Sequence, residues 1–388
     1  MRIAVVGDFF RADCVLDSAP PIAQLSIALC KQGHDVTVYS RHAGTSTAEK
    51  GSETVSPRVV QIPAGPAQSL DAESALPHMG EFADRLAAEW ETCRPDVVHA
   101  ESWGYGTAAQ LVADKYGIPA VQALEAVGAR GVTSSPVRQR MTGLLAKKAA
   151  RVGASCDDDL TGLVRMGAPR ARVSVLRRGI DVELFSPEGP TAPRTTVPRI
   201  VTLLGGNGLE VVLRALPGIP DAEVLVVKLP ETTTKARAEA ARASDLIATL
   251  SPRGRVRVVE TPSPTSLAEL LRSADVAACA DDADSVGTGA LAAMACGVPV
   301  VASASGAHLD LVTHDVTGLL VKPGRPAELA RGIRSLLGFS FRGQAMGSAG
   351  RTHVRSRYCW DRIAIDAQMS YDAATGAQTT PDRPVNSV

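Results

Sequence analysis

The chain has 388 residues, 45% hydrophobic and 21% charged, with 41 basic side chains balanced by 41 acidic ones. That length exceeds what one hydrophobic core ordinarily serves, so two domains of about 100–200 residues each are expected. Zero net charge and no basic stripe argue against a nucleic-acid partner. The seven cysteines (Cys14, Cys30, Cys93, Cys156, Cys279, Cys296 and Cys359) form no CxxC pair, which points to reduced thiols in a cytoplasmic protein and away from a structural zinc site.

From the start of the chain, MRIAVVGDFF meets Asp8 after a short apolar run, predicting a first strand over 2–7 and no signal peptide. Further strands are predicted over 35–40, 59–62, 96–100, 119–123 and 173–176, with amphipathic helices over 22–32, 80–91 and 136–151. A Pro- and Thr-rich text follows, SPEGPTAPRTTVPR, with the composition of a linker. The alternation then restarts. Strands are predicted over 200–204, 222–228, 256–259, 275–279, 298–302 and 318–321, and helices over 208–216, 233–244, 267–272, 288–295 and 327–337. One or two long helices containing Trp360 are expected over 340–372.

Strands separated by helices imply parallel sheets covered on both faces. The expected fold class is therefore α/β, with two doubly wound, Rossmann-like domains. The expected division is an α/β domain over 1–185, a linker over 186–198, a second α/β domain over 199–340, C-terminal helices over 341–372 and a disordered polar tail over 373–388. Ligands of such sheets bind at the carboxyl ends of strands, which makes the cleft between two facing domains the place to look for chemistry. The uncharged stretch over 285–307 is long enough for a membrane span, but Pro299, its glycines and its hydroxyl residues make it a buried helix and a strand; no span is expected. GGNG at 205–208 lacks the third glycine of a dinucleotide fingerprint, and the next strand ends in Lys228 where that fingerprint needs an acid. No Ser-His-Asp order, HExxH or metal cluster is present in the sequence.

Several segments bear a closer resemblance to something known. RPDVVHAESW (94–103), VSVLRRGIDVELFSP (173–187), LAELLRSADVAAC (267–279), LAAMACGVPVVAS (291–303) and HDVTGLLVKPGRPAELARGI (314–333) resemble successive blocks of the family-4 (group 1) glycosyltransferases. The resemblance implies the GT-B fold, with residues 1–185 on the acceptor side, 199–340 on the donor side, and the C-terminal helices packing back toward the N-terminal domain. It implies a nucleotide-sugar co-substrate, retaining transfer, and no metal or other cofactor.

The letters that carry the family's chemistry differ. A Glu, seven residues and a second Glu normally frame the donor sugar and the ribose; here those positions are Asp284 and Ala292. Asn207-Gly208 stands at the family's Lys-Gly, and its diphosphate-binding Arg has no counterpart. Glu125 stands at the position of a His that touches the transferred sugar, and the loop over 7–21 has no Gly-Gly. Asp284 and Glu125 are the catalytic candidates. Donor-binding candidates are Asn207, Arg177, Arg178, Lys228, Gly287, Thr288 and Gly289. The last three open a helix, where free N–H groups receive phosphate without a charged side chain; they serve equally well as a cap and packing surface.

Arg177 and Arg178 fit either an anion contact or a hinge ion pair, and Lys228 either a phosphate contact or a solvent-facing amine. Asp281, Asp282 and Asp284 fit a rim for a cationic ligand or a solvated loop. His99 fits a packing histidine better than a base. Two functional classes follow: an atypical retaining glycosyltransferase with an altered donor site, acting on a small-molecule or glycoside acceptor, and a catalytically inactive pseudo-glycosyltransferase that works by binding a sugar, a nucleotide or a protein partner.

Overall fold

The computed structural model describes residues 1–8, 19–42, 56–68, 70–125, 127, 135–204, 207–228, 234–251, 254–260, 263–282 and 286–376. The N-terminal domain runs β1 (Arg2–Val6), α1 (Pro21–Lys31), β2 (Asp35–Arg41), β3 (Arg58–Ile62), α2 (Ala72–Ala75), α3 (Met79–Thr92), β4 (Val97–Glu101), α4 (Trp103–Tyr116), β5 (Ala120–Leu124), α5 (Pro136–Lys148), β6 (Arg151–Ala154), α6 (Asp157–Arg165) and β7 (Val173–Val175). The C-terminal domain runs β8 (Arg199–Leu203), α7 (Gly208–Ala215), β9 (Glu223–Lys228), α8 (Thr234–Leu250), β10 (Val256–Glu260), α9 (Pro264–Arg272), β11 (Val276–Cys279), α10 (Thr288–Ala295), β12 (Val300–Ser303), α11 (His308–Leu311), β13 (Leu319–Val321) and α12 (Pro326–Gly338). Two long helices, α13 (Ser340–Arg357) and α14 (Trp360–Thr375), finish the described chain.

All strand pairings are parallel. The first sheet has the order β3-β2-β1-β4-β5-β6-β7 and the second β10-β9-β8-β11-β12-β13. In each, the first strand lies between its successor and the strand that begins the second half, so the order reverses at β1/β4 and at β8/β11. These are the topological switch points where such sheets take ligands. Strands buried on both faces explain the near-continuous apolar runs: Ile3 to Val6 and Val224 to Val227 are all 1% exposed or less.

Three features depart from the sequence expectation. The helix expected over 136–151 stops at Lys148, and the second-to-last strand of the first sheet, β6, begins at Arg151. RVGA is too short to show a periodicity, and its Gly153 sits where a Cβ would lie 2.9 Å from the Leu176 Cβ. Helices α4 and α6 were absent from the expectation too; in α4, Gly104 and Gly106 weaken the helical text but let the helix approach its neighbours, with Gln122 directly opposite Gly106. Finally, α14 continues to Thr375, beyond the expected start of the tail; the rest of that tail, 377–388, lies outside the described residues.

Residues 186–198 contain no helix or strand. They are nevertheless pinned to the second domain. Arg272 donates to the Pro190 carbonyl at 2.7 Å and the Ser186 carbonyl at 3.2 Å, and the Ala192 N–H reaches the Glu269 carbonyl at 3.0 Å. At the foot of β8 the Arg199 guanidinium is 1% exposed and fully engaged by Glu223 (2.7 Å), Ser273 (2.7 Å) and the Pro193 carbonyl (3.0 Å). A buried guanidinium survives only with such a set of acceptors.

The chain crosses between domains twice. The first crossing follows β7; the second is the turn between α13 and α14. They run side by side, joined by the Ile180 N–H to the Tyr358 carbonyl at 2.8 Å and an isolated bridge between Ile180 and Cys359. Helix α13 packs on α10 and α12, whereas α14 returns to α1 and β4–β6.

Candidate active site

Both domains turn the carboxyl ends of their strands toward one another. The clearest contact is made by α6, which begins after β6: the Asp157 N–H donates to Asp310 Oδ2 at 3.0 Å, on α11 beyond β12. Around Asp310, burial pushes the carboxyl above its ordinary range. The Asp157 N–H opposes that shift, Asp157 and Asp158 reinforce it, and Arg177 offsets part of it.

On the N-terminal side, the switch point joins Gly7 and Glu101. A Cβ on Gly7 would come within 3.2 Å of the Glu101 Cβ. Ser102 follows in a left-handed conformation (φ 67°), unusual for a non-glycine residue. Gln122 holds it: its buried carboxamide donates to the Ser102 carbonyl at 2.9 Å and the Ala100 carbonyl at 3.1 Å. Trp103 is the first residue of α4 and is buried. His99 is buried too, its Nδ1 2.9 Å from the Tyr371 hydroxyl of α14, and desolvation pushes its pKa down to about 4. At neutral pH it is therefore uncharged, with its Nε2 3.9 Å from the Glu101 carboxylate. Glu125, at the end of β5, is exposed, and its backbone carbonyl accepts from Arg138 at 3.0 Å. Beside it, Asp159 is 1% exposed and accepts from the Val127 N–H at 2.7 Å and from the Ser155 hydroxyl.

On the C-terminal side, Gly208 at the start of α7 is pressed onto the end of β11. A Cβ there would lie 2.6 Å from the Asp281 nitrogen. Next to it the Asn207 carboxamide accepts from the Asp282 N–H at 3.4 Å. Lys228, ending β9, forms an ion pair with Glu260 of β10 at 3.3 Å. Gly287 occupies the N-cap of α10 with φ 68°, a conformation that glycine adopts without strain. Thr288 and Gly289 form the first turn of that helix, and Gly289 approaches Leu203 of β8 and Cys279 of β11. Ala292, one turn later, is 0% exposed among Leu291, Ala293 and Met294 of the core.

The structure thus gathers Asn207, Lys228, Gly287, Thr288 and Gly289 at the strand ends of one sheet and Glu125 at those of the other. Arg177 and Arg178 lie on the first crossing, both half-buried; the Arg177 guanidinium is 5.9 Å from the Tyr358 ring centroid and acts on the Asp310 carboxyl. Asp284 falls outside the described residues. Gln122, Asp159 and Asp310 went unread in the sequence because their partners are set by sheet order and by the opposing domain. Among the described residues no group of three or more His, Cys, Asp or Glu could hold a metal ion, and no helix is long and apolar enough to cross a membrane.

Comparison with known proteins agrees with this geometry. Residues 19–179 match the glycosyl transferase 4-like domain, and residues 200–353 match the glycosyl transferases group 1. The chain belongs to the group 1, family-4 glycosyltransferases. A glycosyltransferase relative, the D-inositol 3-phosphate glycosyltransferase of Mycobacterium tuberculosis, is 28% identical over 379 residues, covering 91% of this chain and 78% of that protein. Among solved structures, the sucrose-phosphate synthase of Thermosynechococcus elongatus superposes with a TM-score of 0.83 at 22% identity, covering 97% of this glycosyltransferase and all of that chain. Anabaena HepE in complex with UDP and glucose gives 0.75 at 18% identity, covering 95% and 98%. These likenesses establish the GT-B fold.

Proposed function

We propose that this glycosyltransferase moves a sugar, with retention, from a nucleotide-diphosphate sugar to a hydroxyl of a small-molecule or glycoside acceptor through an altered donor site. The donor would lie against the ends of β8, β9 and β11 and the start of α10, and the acceptor against the ends of β1, β4 and β5. One observation carries the reading: each sheet reverses its strand order at a glycine-packed switch point, and α10 at the second of them is opened by Gly287. Helix N–H groups there receive a phosphate. Arg178 and Lys228 are the side-chain cations proposed to supplement them, Lys228 by exchanging Glu260 for the ligand. Asn207 would contact the donor in place of the family's Lys. Asp284 would hold the sugar, and Glu125 would face the reacting centre, where the acceptor oxygen bonds to the anomeric carbon as the bond to the diphosphate breaks and the proton leaves with the diphosphate.

The second class, an inactive relative acting as a binding or auxiliary subunit, draws on the same pocket. Ala292 is enclosed in the core and offers ribose no acceptor, and Lys228 is already paired. One lost charge-assisted hydrogen bond costs about 1.5–3 kcal/mol, and one lost preorganised stabiliser roughly 10²–10³ in rate. Calorimetric titration with UDP, GDP, ADP, CMP and dTDP and their sugar conjugates separates the classes, followed by transfer assays beginning with phosphorylated polyol acceptors. Saturable micromolar binding of one diphosphate, with transfer from its conjugate, supports the enzyme and names the donor. Silence from folded protein across the panel favours the subunit reading.

A further inference from the structure

Away from the cleft, a groove of about 610 Å³ runs along β7, the edge strand of the first sheet, and is roofed by the junction of α13 and α14. Four guanidinium groups line it: Arg151 at the start of β6, Arg177 on the first crossing, Arg357 at the end of α13 and Arg362 on α14. One carboxylate shares the space, Asp366, and it is already paired with Arg362 at 2.8 Å. Arg151 spends a donor on the Ala171 carbonyl at 2.5 Å, and Arg177 rests on the Tyr358 ring. Among the described residues, Arg151, Arg177 and Arg357 have no ion-pair partner. Arg151 and Arg357 thus bring two cations without a carboxylate partner to one cavity, joined by Arg177, which also feels the Asp310 carboxyl.

The remaining lining fits an anion with a polar body. Ser174 and Ser370 set their hydroxyls 3.5 Å apart across the groove, and Val175 and Met369 supply an apolar strip. Planar guanidinium forks suit bidentate contact with phosphate oxygens. The volume lies within the usual range for small-molecule sites, roughly 300–1,000 Å³.

We propose that this groove is a second ligand site, taking a small phosphorylated metabolite distinct from the donor. Its walls come from both domains: Arg151 belongs to the first sheet, whereas Arg357 ends the helix packed on the second domain. A phosphate gripped by both clamps the two crossings together, so the ligand acts on domain closure. The site stands independently of the donor reading, because its test is binding alone.

The test is calorimetric titration of the full chain with inorganic pyrophosphate, at fixed moderate salt, with glucose as a neutral control. The proteins are wild type, Arg357→Gln, the Arg151→Gln/Arg357→Gln double variant, and Asn207→Ala in the cleft. Arg357 is exposed and unpaired, so its variant should melt like wild type. The expected result is a saturable pyrophosphate event that weakens about ten- to a hundredfold in Arg357→Gln, disappears in the double variant and persists in Asn207→Ala. Arg357→Lys should recover part of it. Three results would overturn the proposal: no pyrophosphate binding to wild type, equal binding by the arginine variants, or loss confined to Asn207→Ala. If the double variant fails to fold, Arg357→Gln alone decides.

Discussion

At position 208 a single methyl group decides whether the donor-side switch point can close. The start of α7 lies so near the end of β11 that a Cβ would stand 2.6 Å from the Asp281 nitrogen and 3.0 Å from the Ala280 carbonyl carbon, both backbone atoms. Neither can rotate away as a side chain could. Gly208→Ala should therefore destabilise the protein by about 1–3 kcal/mol through overpacking and shift the Asn207 carboxamide off the Asp282 N–H. Denaturant midpoints of the two proteins check this; equal midpoints would mean that α7 moves freely. Residue identity at this site was legible in the sequence, including Asn207, Ala292 and Gly287. Residue partnership was not. Lys228 meets Glu260 because β10 pairs with β9, and 32 positions of sequence separate them. A strand order is needed before such a pair can be named.

Among the elements, α14 shows how much a segment's local text can conceal. Its helical character was readable around Trp360, but its length and burial depend on a face supplied by α1 and β4–β6. Ile363, Ala364, Ala367 and Tyr371 are each 1% exposed or less there. The one strand that the sequence did not show, β6, is likewise an element whose four residues make sense only between two neighbours. The Tyr371 hydroxyl, meeting His99 at 2.9 Å, ties α14 to the end of β4. Tyr371→Phe leaves the buried imidazole with no hydrogen bond at Nδ1, at a cost of about 1–3 kcal/mol. His99 also gives the docked helix a pH signature. Burial lowers its pKa from 6.5 unfolded to about 4 folded, so between those values the unfolded chain binds the extra proton. This contribution is complete above pH 6.5, falls as the pH drops toward 4, and then levels off. Urea midpoints measured over that window should show the wild type losing stability relative to His99→Gln, with a constant difference above pH 7. A difference independent of pH would place the titration elsewhere.

For the whole molecule, the alternating text announced two α/β domains, and the family blocks announced how they are arranged; the contact that holds them in register could not be read from either. It joins residues 153 positions apart, the Asp157 N–H and the Asp310 carboxylate. Asp310 is a costly choice at neutral pH. Burial and the neighbouring Asp157 and Asp158 raise its pKa, and the Asp157 N–H and Arg177 recover only part of the difference. A carboxyl raised above its solvated value of 3.8 favours the folded state fully below that pH, and the favour is lost as the pH rises through the folded value. At pH 7 the ionised group therefore lowers the stability of the folded protein while its oxygen still accepts the N–H from the other domain. Asp310→Asn keeps an acceptor oxygen at the same distance and removes the charge. The variant should hold the domains together more firmly at pH 7, with a higher unfolding midpoint and a smaller radius of gyration by small-angle scattering, and should converge on wild type near pH 4. Where product release requires the cleft to open, firmer docking should also slow turnover. A variant less stable than wild type at pH 7 would show instead that Arg177 outweighs burial, and that the carboxylate serves as a latch.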